Sequence, residues 1–363
     1  MKREVAMWLE GVDGAGLHER VCGLHGQVGG AVRRSVAGGG ASEVRAVTSA
    51  DTIFAIDRDV EPVLDGFFAD LSAWMGPLVL IAEGMDEAER GEVREDLGEG
   101  VVLYGCSGLE SARSVAIVDP IDGTRGVMYD KRSAWFLLGM GPLVGWPARG
   151  SELGYGFMGE LGTSKAGLLD RWWAFRGGPA RGERLDLSGG LAGRLEARPS
   201  GAADLRNGFG MLSKFFPAGK EILCGLECAM LARLGLGRAG SGGLVDGAGS
   251  LVFDDQYICT GGQLVELMSG HDRFNADLRS FAHGVGGIEG GLCCHAYDLA
   301  GLLVAEAAGV VVTDAAGGAL DFPLDCTGGV DWVAYANAGL RGVVEPALQA
   351  AMAEIAGLGR GGG

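Results

Sequence analysis

Asp119 and Asp122 stand three residues apart in Asp119-Pro120-Ile121-Asp122-Gly123-Thr124, directly after the apolar run 114–118. Pro120 stiffens the turn between them. Both carboxylates can then point into one pocket, with the Ile121 carbonyl beside them. Gly123 lets the backbone approach a ligand closely, and Thr124 adds a hydroxyl and an N–H. A helix beginning here would offer free N–H groups to an anion such as phosphate. Hard divalent cations prefer such oxygen donors. Clustered carboxylates without a cation repel one another, and some must hold protons. With two cations about 3.5–4 Å apart, the cluster becomes a clamp for in-line phosphoryl displacement. Taken alone, the segment could equally be a turn with an Asx motif, so the reading depends on partners elsewhere in the chain.

The surrounding pattern supplies elements that could position those partners. Residues 17–36 carry Leu17, Val21, Leu24, Val28 and Val32 at helical spacing, with Gly38-Gly39-Gly40 as the stop. A second helix is predicted over 59–75. Buried strands are predicted over 77–82, which delivers Glu83 at its end, over 114–118, which delivers Asp119, and over 135–140. Residues 154–158 and 171–175 suggest an antiparallel continuation, with Gly177-Gly178 as a turn. Residues 193–200 read as a bridge to a second half of alternating helix and strand. Helices are expected over 222–236 and 263–268, a glycine-rich surface loop over 237–249, and an irregular insertion over 271–291. A helix is expected over 298–308, with Asp298 as its N-cap and Gly309 just past its end, then a strand over 310–313. The predicted class is α+β with mixed sheets and packed helices. Two subdomains follow: 1–192, an α+β unit carrying most of the candidate metal ligands, and 193–363, an α/β unit supplying Asp298 and substrate contacts.

Bulk properties narrow the field. The chain has 363 residues, 47% of them hydrophobic, which excludes a disordered protein. Its formal charge is −17, with no basic stripe of the kind a nucleic-acid polymer requires. Bound cations would make such a chain a suitable host for an anionic ester. No apolar run approaches the roughly 18 residues of a membrane span, and Met1-Lys2-Arg3-Glu4-Val5 opens no secretory signal, so the expected compartment is cytoplasmic. The eight cysteines, including Cys224, Cys228 and the Cys293-Cys294-His295 cluster, lack zinc-site spacing and read as free thiols. The 68 glycines show no three-residue period, which excludes collagen.

Three blocks, in order, carry a family resemblance. They are Asp51-Thr52-Ile53-Phe54-Ala55-Ile56-Asp57 with Val60-Glu61; Ile117-Val118-Asp119-Pro120-Ile121-Asp122-Gly123-Thr124; and Tyr297-Asp298-Leu299-Ala300-Gly301 with Glu306-Ala307-Ala308-Gly309. The run 172–178 adds a weaker match. Together they resemble the inositol monophosphatase family, part of the superfamily that also holds fructose-1,6-bisphosphatases and 3′-phosphoadenosine 5′-phosphate phosphatases.

The resemblance implies a layered α/β/α/β/α sandwich of the sugar-phosphatase type, a homodimer, and Mg²⁺-dependent hydrolysis of a small phosphate monoester by a metal-activated water. The substrate would be an inositol phosphate or related sugar phosphate. Alternatives are a 3′-phosphoadenosine 5′-phosphate or fructose-1,6-bisphosphate phosphatase, or a catalytically silent metal- and phosphate-binding regulator. Glu83, Asp119 and the Ile121 carbonyl would hold one Mg²⁺, and Asp119, Asp122 and Asp298 a second, with Glu83 reaching a third. Thr124, paired with Asp57, would orient or deprotonate the water. Asp122, Gly123, Thr124 and Asp298 would contact the substrate.

The chain departs from the family pattern in several places. Gly84 stands where a second glutamate is usual, Phe54 replaces a threonine, and Tyr297 replaces a tryptophan. Gly261-Gly262 replaces a glycine-serine pair, and the usual upstream lysine is missing near Thr48. The stretch 274–294 is long. The substrate-contacting acid usual just before the third block could be Asp272, Asp277 or Glu289.

Overall fold

Apolar runs without polar alternation form strands covered on both faces, and three of them lie side by side at the centre of a nine-stranded sheet. The computed structural model describes residues 2–39, 41–47, 52–85, 92–93, 95–236 and 252–360. The first half contains α1 (Arg3–Gly11), α2 (Gly14–Gly38), a small pair β1 (Val44–Val47) and β2 (Thr52–Phe54), and α3 (Ala55–Met75). Then come β3 (Leu78–Ala82), β4 (Glu92–Val93), β5 (Val101–Tyr104), β6 (Ser114–Asp122), the short α4 (Thr124–Met128) and β7 (Ala134–Pro142). The large sheet continues through β8 (Tyr155–Leu161), β9 (Leu168–Phe175), β10 (Arg181–Asp186) and β11 (Leu191–Leu195).

The second half has β12 (Gly208–Leu212), α5 (Lys220–Arg233), β13 (Val252–Phe253), α6 (Thr260–Met268), β14 (Asp272–Asp277) and α7 (Arg279–Gly286). It ends with α8 (Leu302–Ala307), β15 (Val311–Asp314), β16 (Trp332–Tyr335) and α9 (Ala338–Arg360). The large sheet runs β11-β10-β9-β8-β7-β6-β3-β5-β4, the small one β13-β12-β14-β16-β15. Both are mixed: β3 lies parallel to β6, whereas β6 and β7 are antiparallel.

The layers follow from which faces are apolar. On α2, Leu17, Val21, Leu24, Val28 and Val32 are all buried, as their spacing requires, and Gly39 ends the helix with φ 76°. With α3 they cover one face of the large sheet. The other face packs on α6 and α8, of which α6 also touches the small sheet, while α5 and α9 pack on that sheet as well. The result is an α/β/α/β/α sandwich. Strands β3 to β11 belong to the large sheet and strands β12 to β16 to the small one, with one apolar cluster joining them. No helix among the described residues is long and apolar enough to cross a membrane.

Four expectations are corrected. The stretch 271–291 is not an irregular insertion. It holds β14, a central strand of the small sheet between β12 and β16, and α7. Its polar Asn275 and Asp277 are buried, which masks the strand pattern. Residues 298–308 are not one helix capped by Asp298. A 3₁₀ turn, Tyr297–Leu299, precedes α8, and the Asp298 carboxylate accepts the upstream His295 N–H at 2.6 Å. Residues 193–195 belong to β11 rather than to a bridge. The helix expected over 59–75 starts earlier, at Ala55, because Asp57 Oδ2 accepts the Phe54 N–H at 2.7 Å and closes its first turn. Asp51, Thr48 and the 237–249 loop lie outside the described residues.

β7 has a direct part in placing Asp298. A Cβ at Gly139 would stand 2.8 Å from the Ala300 carbonyl oxygen and 2.7 Å from Leu153 Cδ1. Bare backbone there lets the segment after the 3₁₀ turn settle onto the sheet. Gly139→Ala is expected to cost about 1–3 kcal/mol through overpacking. Urea unfolding of the variant checks this; unchanged stability would show that the turn is not seated on β7.

Candidate metal centre

The parity of a strand governs whether Asp119 and Asp122 can act together. Side chains alternate faces, so residues three apart point to opposite sides. Asp119 pairs with Leu137 and Asp122 with Trp135, so three steps on β6 match two on β7. The extra residue is a bulge at the Pro120-Ile121 step, and it turns both carboxylates to one face. Ile121 is instead buried in the apolar cluster on the opposite face. The bulge residues still find partners: the Ile121 N–H donates to Asp119 Oδ1 at 3.0 Å, and the Ile121 carbonyl accepts from the Thr124 hydroxyl at 2.7 Å.

Asp122 sits at the start of α6. Its Oδ1 accepts the Thr260 N–H at 3.2 Å, and its Oδ2 accepts the Gly261 N–H. Helix N-termini favour anions because these N–H groups are unpaired and the dipole is positive there. The approach demands glycine. A Cβ on Gly261 would lie 2.6 Å from Leu137 Cδ2, and one on Gly262 2.2 Å from the Tyr257 ring. This accounts physically for the Gly261-Gly262 pair. Gly123 has φ 92°, and a Cβ there would meet Cys259 Cβ at 3.0 Å, so the same helix start also presses on the turn after Asp122.

Asp298 completes the cluster. One carboxylate oxygen from each of Asp119, Asp122 and Asp298 lies within 4.8 Å of the others. Asp119 and Asp122 are buried and Asp298 is half-buried. Glu83, in the turn after β3, lines the same cleft and acts electrostatically on Asp119. Burial pushes the Asp119 carboxyl well above its usual range, and the charges of Asp122, Asp298 and Glu83 push it further. Burial, reinforced by Asp298, raises Asp122 to about 7 against the pull of the Gly261 and Thr260 N–H groups. Burial raises Asp298 to about 6, opposed by the His295 N–H and charge. None of the three makes an ion pair among the described residues. Three converging oxygen donors with unbalanced charge fit hard divalent cations.

Asp57 and Thr124 also meet, with Thr124 Oγ1 3.3 Å from Asp57 Oδ1. Gly123, Thr124 and Arg125 line the cleft above the carboxylates, and Asp57, Glu83 and Thr124 line the pocket next to it. The structure thus gathers Glu83, Asp119, Ile121, Asp122, Gly123, Thr124 and Asp298 around one cleft, with Asp57 in the pocket beside it. None of the three candidate substrate acids lines it. Asp277 is buried against Arg279, Asp272 holds Asn275 at 2.8 Å, and Glu289 is exposed. His295 does line it, but its Nδ1 is bonded to the Gly328 carbonyl at 3.1 Å and its ring stacks on Tyr297. His271 is exposed and pairs with Glu266. Sequence reasoning missed Phe215, Phe216 and Arg279 in the wall and the Cys259-Thr260 start of α6. An apolar-looking loop and a buried cation carry no motif, so only Gly261-Gly262 gave a signal.

No protein-family model matches the chain, and no curated protein matches it by sequence. Solved structures match it along nearly its whole length. The extragenic suppressor protein SuhB of Bartonella henselae is 16% identical over 92% of this chain and 98% of that one, with a TM-score of 0.59. The fructose-1,6-bisphosphatase of Leishmania major is 13% identical over 93% of each chain, with a TM-score of 0.58. Inositol monophosphatase II of Staphylococcus aureus is 15% identical over 96% and 99%, with a TM-score of 0.56. The chain shares the sandwich fold of these three solved structures.

The raised carboxyl groups have a consequence for stability. Asp122 and Asp298 bind protons more tightly folded than unfolded, where the carboxyl titrates near 4. Their contribution is therefore fully present below about pH 4 and is lost as pH rises through 6 to 7. In EDTA, the melting temperature should fall across that window. Mg²⁺ should offset the fall, and Asp122→Asn should flatten it. Melting curves in EDTA and in Mg²⁺ from pH 4.5 to 8 check this; a metal-free protein that gains stability from pH 5 to 7, with no change in that trend in Asp122→Asn, would contradict it.

Proposed function

We propose that the chain is a phosphoric monoester hydrolase that uses Mg²⁺ to cleave a small phosphorylated substrate, an inositol phosphate or related sugar phosphate. The observation that carries this reading is the buried convergence of Asp119, Asp122 and Asp298 beneath a cleft lined by Gly123 and Thr124. The fold similarity to inositol monophosphatases and a fructose-1,6-bisphosphatase supports it. Asp119, Asp122 and Asp298 would hold one cation, and Asp119, Glu83 and the Ile121 carbonyl another. When bound, divalent cations supply Lewis acidity and a water that ionises near neutrality. Residues 1–192 would carry most of these donors, and 193–363 would contribute Asp298 and the helix start that holds Asp122.

The protein's own groups would do the rest. Thr124 has one hydroxyl proton and two acceptors in reach, the Ile121 carbonyl and Asp57. Donating to Asp57 leaves the Thr124 oxygen to accept from a water, which fixes that water's position. The water's proton can then pass through the hydroxyl to Asp57 as the water oxygen bonds to phosphorus. The ester P–O bond breaks, and the leaving oxygen would take up a proton from solvent in the cleft while Asp57 returns its own to solvent. The Gly123 and Thr124 N–H groups would hold the phosphate oxygens, a role suited to the left-handed turn at Gly123.

Phosphate release from a panel of inositol, sugar and nucleotide phosphates with and without Mg²⁺ tests this. Turnover should require the metal. Asp122→Asn should lower kcat/KM by more than about a hundredfold, since even supporting residues of metal sites cost 10–100-fold, while its circular dichroism stays that of the wild type. No turnover of any ester, with Mg²⁺ bound, would sink the enzymatic reading in favour of a silent binding protein.

A further inference from the structure

Asp122 faces Trp135 across the β6–β7 ladder, and the first N–H groups of α6 rest on its carboxylate. One residue touches both of these neighbours. Tyr257, just before α6, is 8% exposed. Its hydroxyl accepts the Trp135 Nε1–H at 3.1 Å and donates to the Ser133 carbonyl at 2.8 Å, which ties the second half of the chain to the entry of β7. Its carbonyl accepts the Cys259 N–H at 2.9 Å and the Gln263 side-chain N–H at 2.7 Å. Cys259 in turn caps α6: its thiol accepts the Gly262 N–H at 3.2 Å and donates to the Asp122 carbonyl at 3.1 Å. Bare Gly262 lies against the Tyr257 ring, where any Cβ would collide. The Arg132 guanidinium lies 3.7 Å from the centre of that ring, and its Nη1 and Nη2 each donate to one Asp255 oxygen at 2.8 Å.

A tyrosine that only fills the core could be a phenylalanine. That role does not explain the hydroxyl, which donates its one proton and accepts another, both at the strand that faces Asp122. Nor does it explain why Cys259, Gly262 and Gln263, all at the start of α6, bear on the same residue. We propose that Tyr257 is a positioning residue for the metal centre: its hydroxyl holds the α6 start at a fixed distance from Asp122, so that the Thr260 and Gly261 N–H groups orient that carboxylate, and Arg132 with Asp255 braces the ring. The inference rests on the reading of Asp122 as a cation ligand in a phosphatase and deepens it, because the aim of that ligand is then set across both halves of the chain. Glycines let the helix start approach Asp122 but do not hold it there. Without the two hydroxyl bonds Asp122 keeps its charge and loses its direction, and metal affinity reports that loss.

The test uses the full chain and Tyr257→Phe, which keeps the ring and removes only the hydroxyl. Mn²⁺ binding is measured by electron paramagnetic resonance, and hydrogen exchange is followed in metal-free protein. The variant should bind Mn²⁺ about tenfold more weakly, the scale for a residue that orients a ligand. Exchange should quicken in peptides covering 258–264 and not in those covering β3 or β8. In turnover, the Mg²⁺ concentration for half-maximal rate should rise by the same factor, while the substrate KM at saturating Mg²⁺ stays as it is. A tyrosine with a structural role alone predicts a lower melting temperature and unchanged Mn²⁺ affinity, and that result would overturn the proposal. Should Tyr257→Phe not fold, Arg132→Met replaces it, since the Arg132 side chain is 35% exposed, and the same readings decide. If the wild type binds no Mn²⁺, the metal-dependent phosphatase reading fails, and the positioning role is judged by exchange alone. Faster exchange confined to 258–264 then supports it, and exchange that is unchanged or faster everywhere overturns it.

Discussion

Three carboxylate oxygens brought within 4.8 Å of one another, away from bulk water, repel each other and lose solvation together. A folded chain holds such a group only if something opposes the charge. Here the opposition from the protein is partial: backbone dipoles, with Ile121 N–H on Asp119, the first N–H groups of α6 on Asp122 and His295 N–H on Asp298, and the charges of His295 and Arg279 acting on Asp298. The remaining negative charge is what divalent cations would neutralise. The same dipoles orient each carboxylate, so the donors are aimed before any ligand arrives.

That constraint reaches into the architecture. β6 must bulge, or Asp119 and Asp122 would face opposite layers. α6 must begin with glycines, or the helix start could not approach Asp122 closely. A 3₁₀ turn must rest on the bare backbone of β7, or Asp298 would not reach the cleft. The central strands that carry these features are buried on both faces. The rigidity of the site therefore comes from the middle of the large sheet rather than from surface loops. The cleft opens where the two sheets' connecting segments meet, so both halves of the chain contribute to it.

How much could be read from the chain beforehand depended on whether a feature had a local signature. The buried strands 78–82 and 114–118 were legible because unbroken apolar runs have few other uses, and α2 because its apolar positions repeat at helical spacing. The carboxylates were legible from Asp119 and Asp122 with their flanking proline and glycine. The strand β14 was not, since Asn275 and Asp277 lie inside it and break the apolar pattern, and the tertiary pairing with β12 and β16 overrides that composition. Asp298 was recognised as a site residue but misplaced as a helix cap, because its partner, the His295 N–H, lies upstream. Arg279 and Phe216 come together only through the fold, from separate segments, and no spacing along the chain could have announced them.

The central claim is that Asp119 is the shared ligand of a paired-cation centre completed by Glu83, Asp122 and Asp298. Anomalous diffraction from crystals soaked in Mn²⁺ addresses it most directly. Two peaks about 3.5–4 Å apart, both within coordination distance of Asp119 and one of them also contacting Asp122 and Asp298, are the predicted result. No peak at these carboxylates, at Mn²⁺ concentrations that saturate binding in solution, would contradict it.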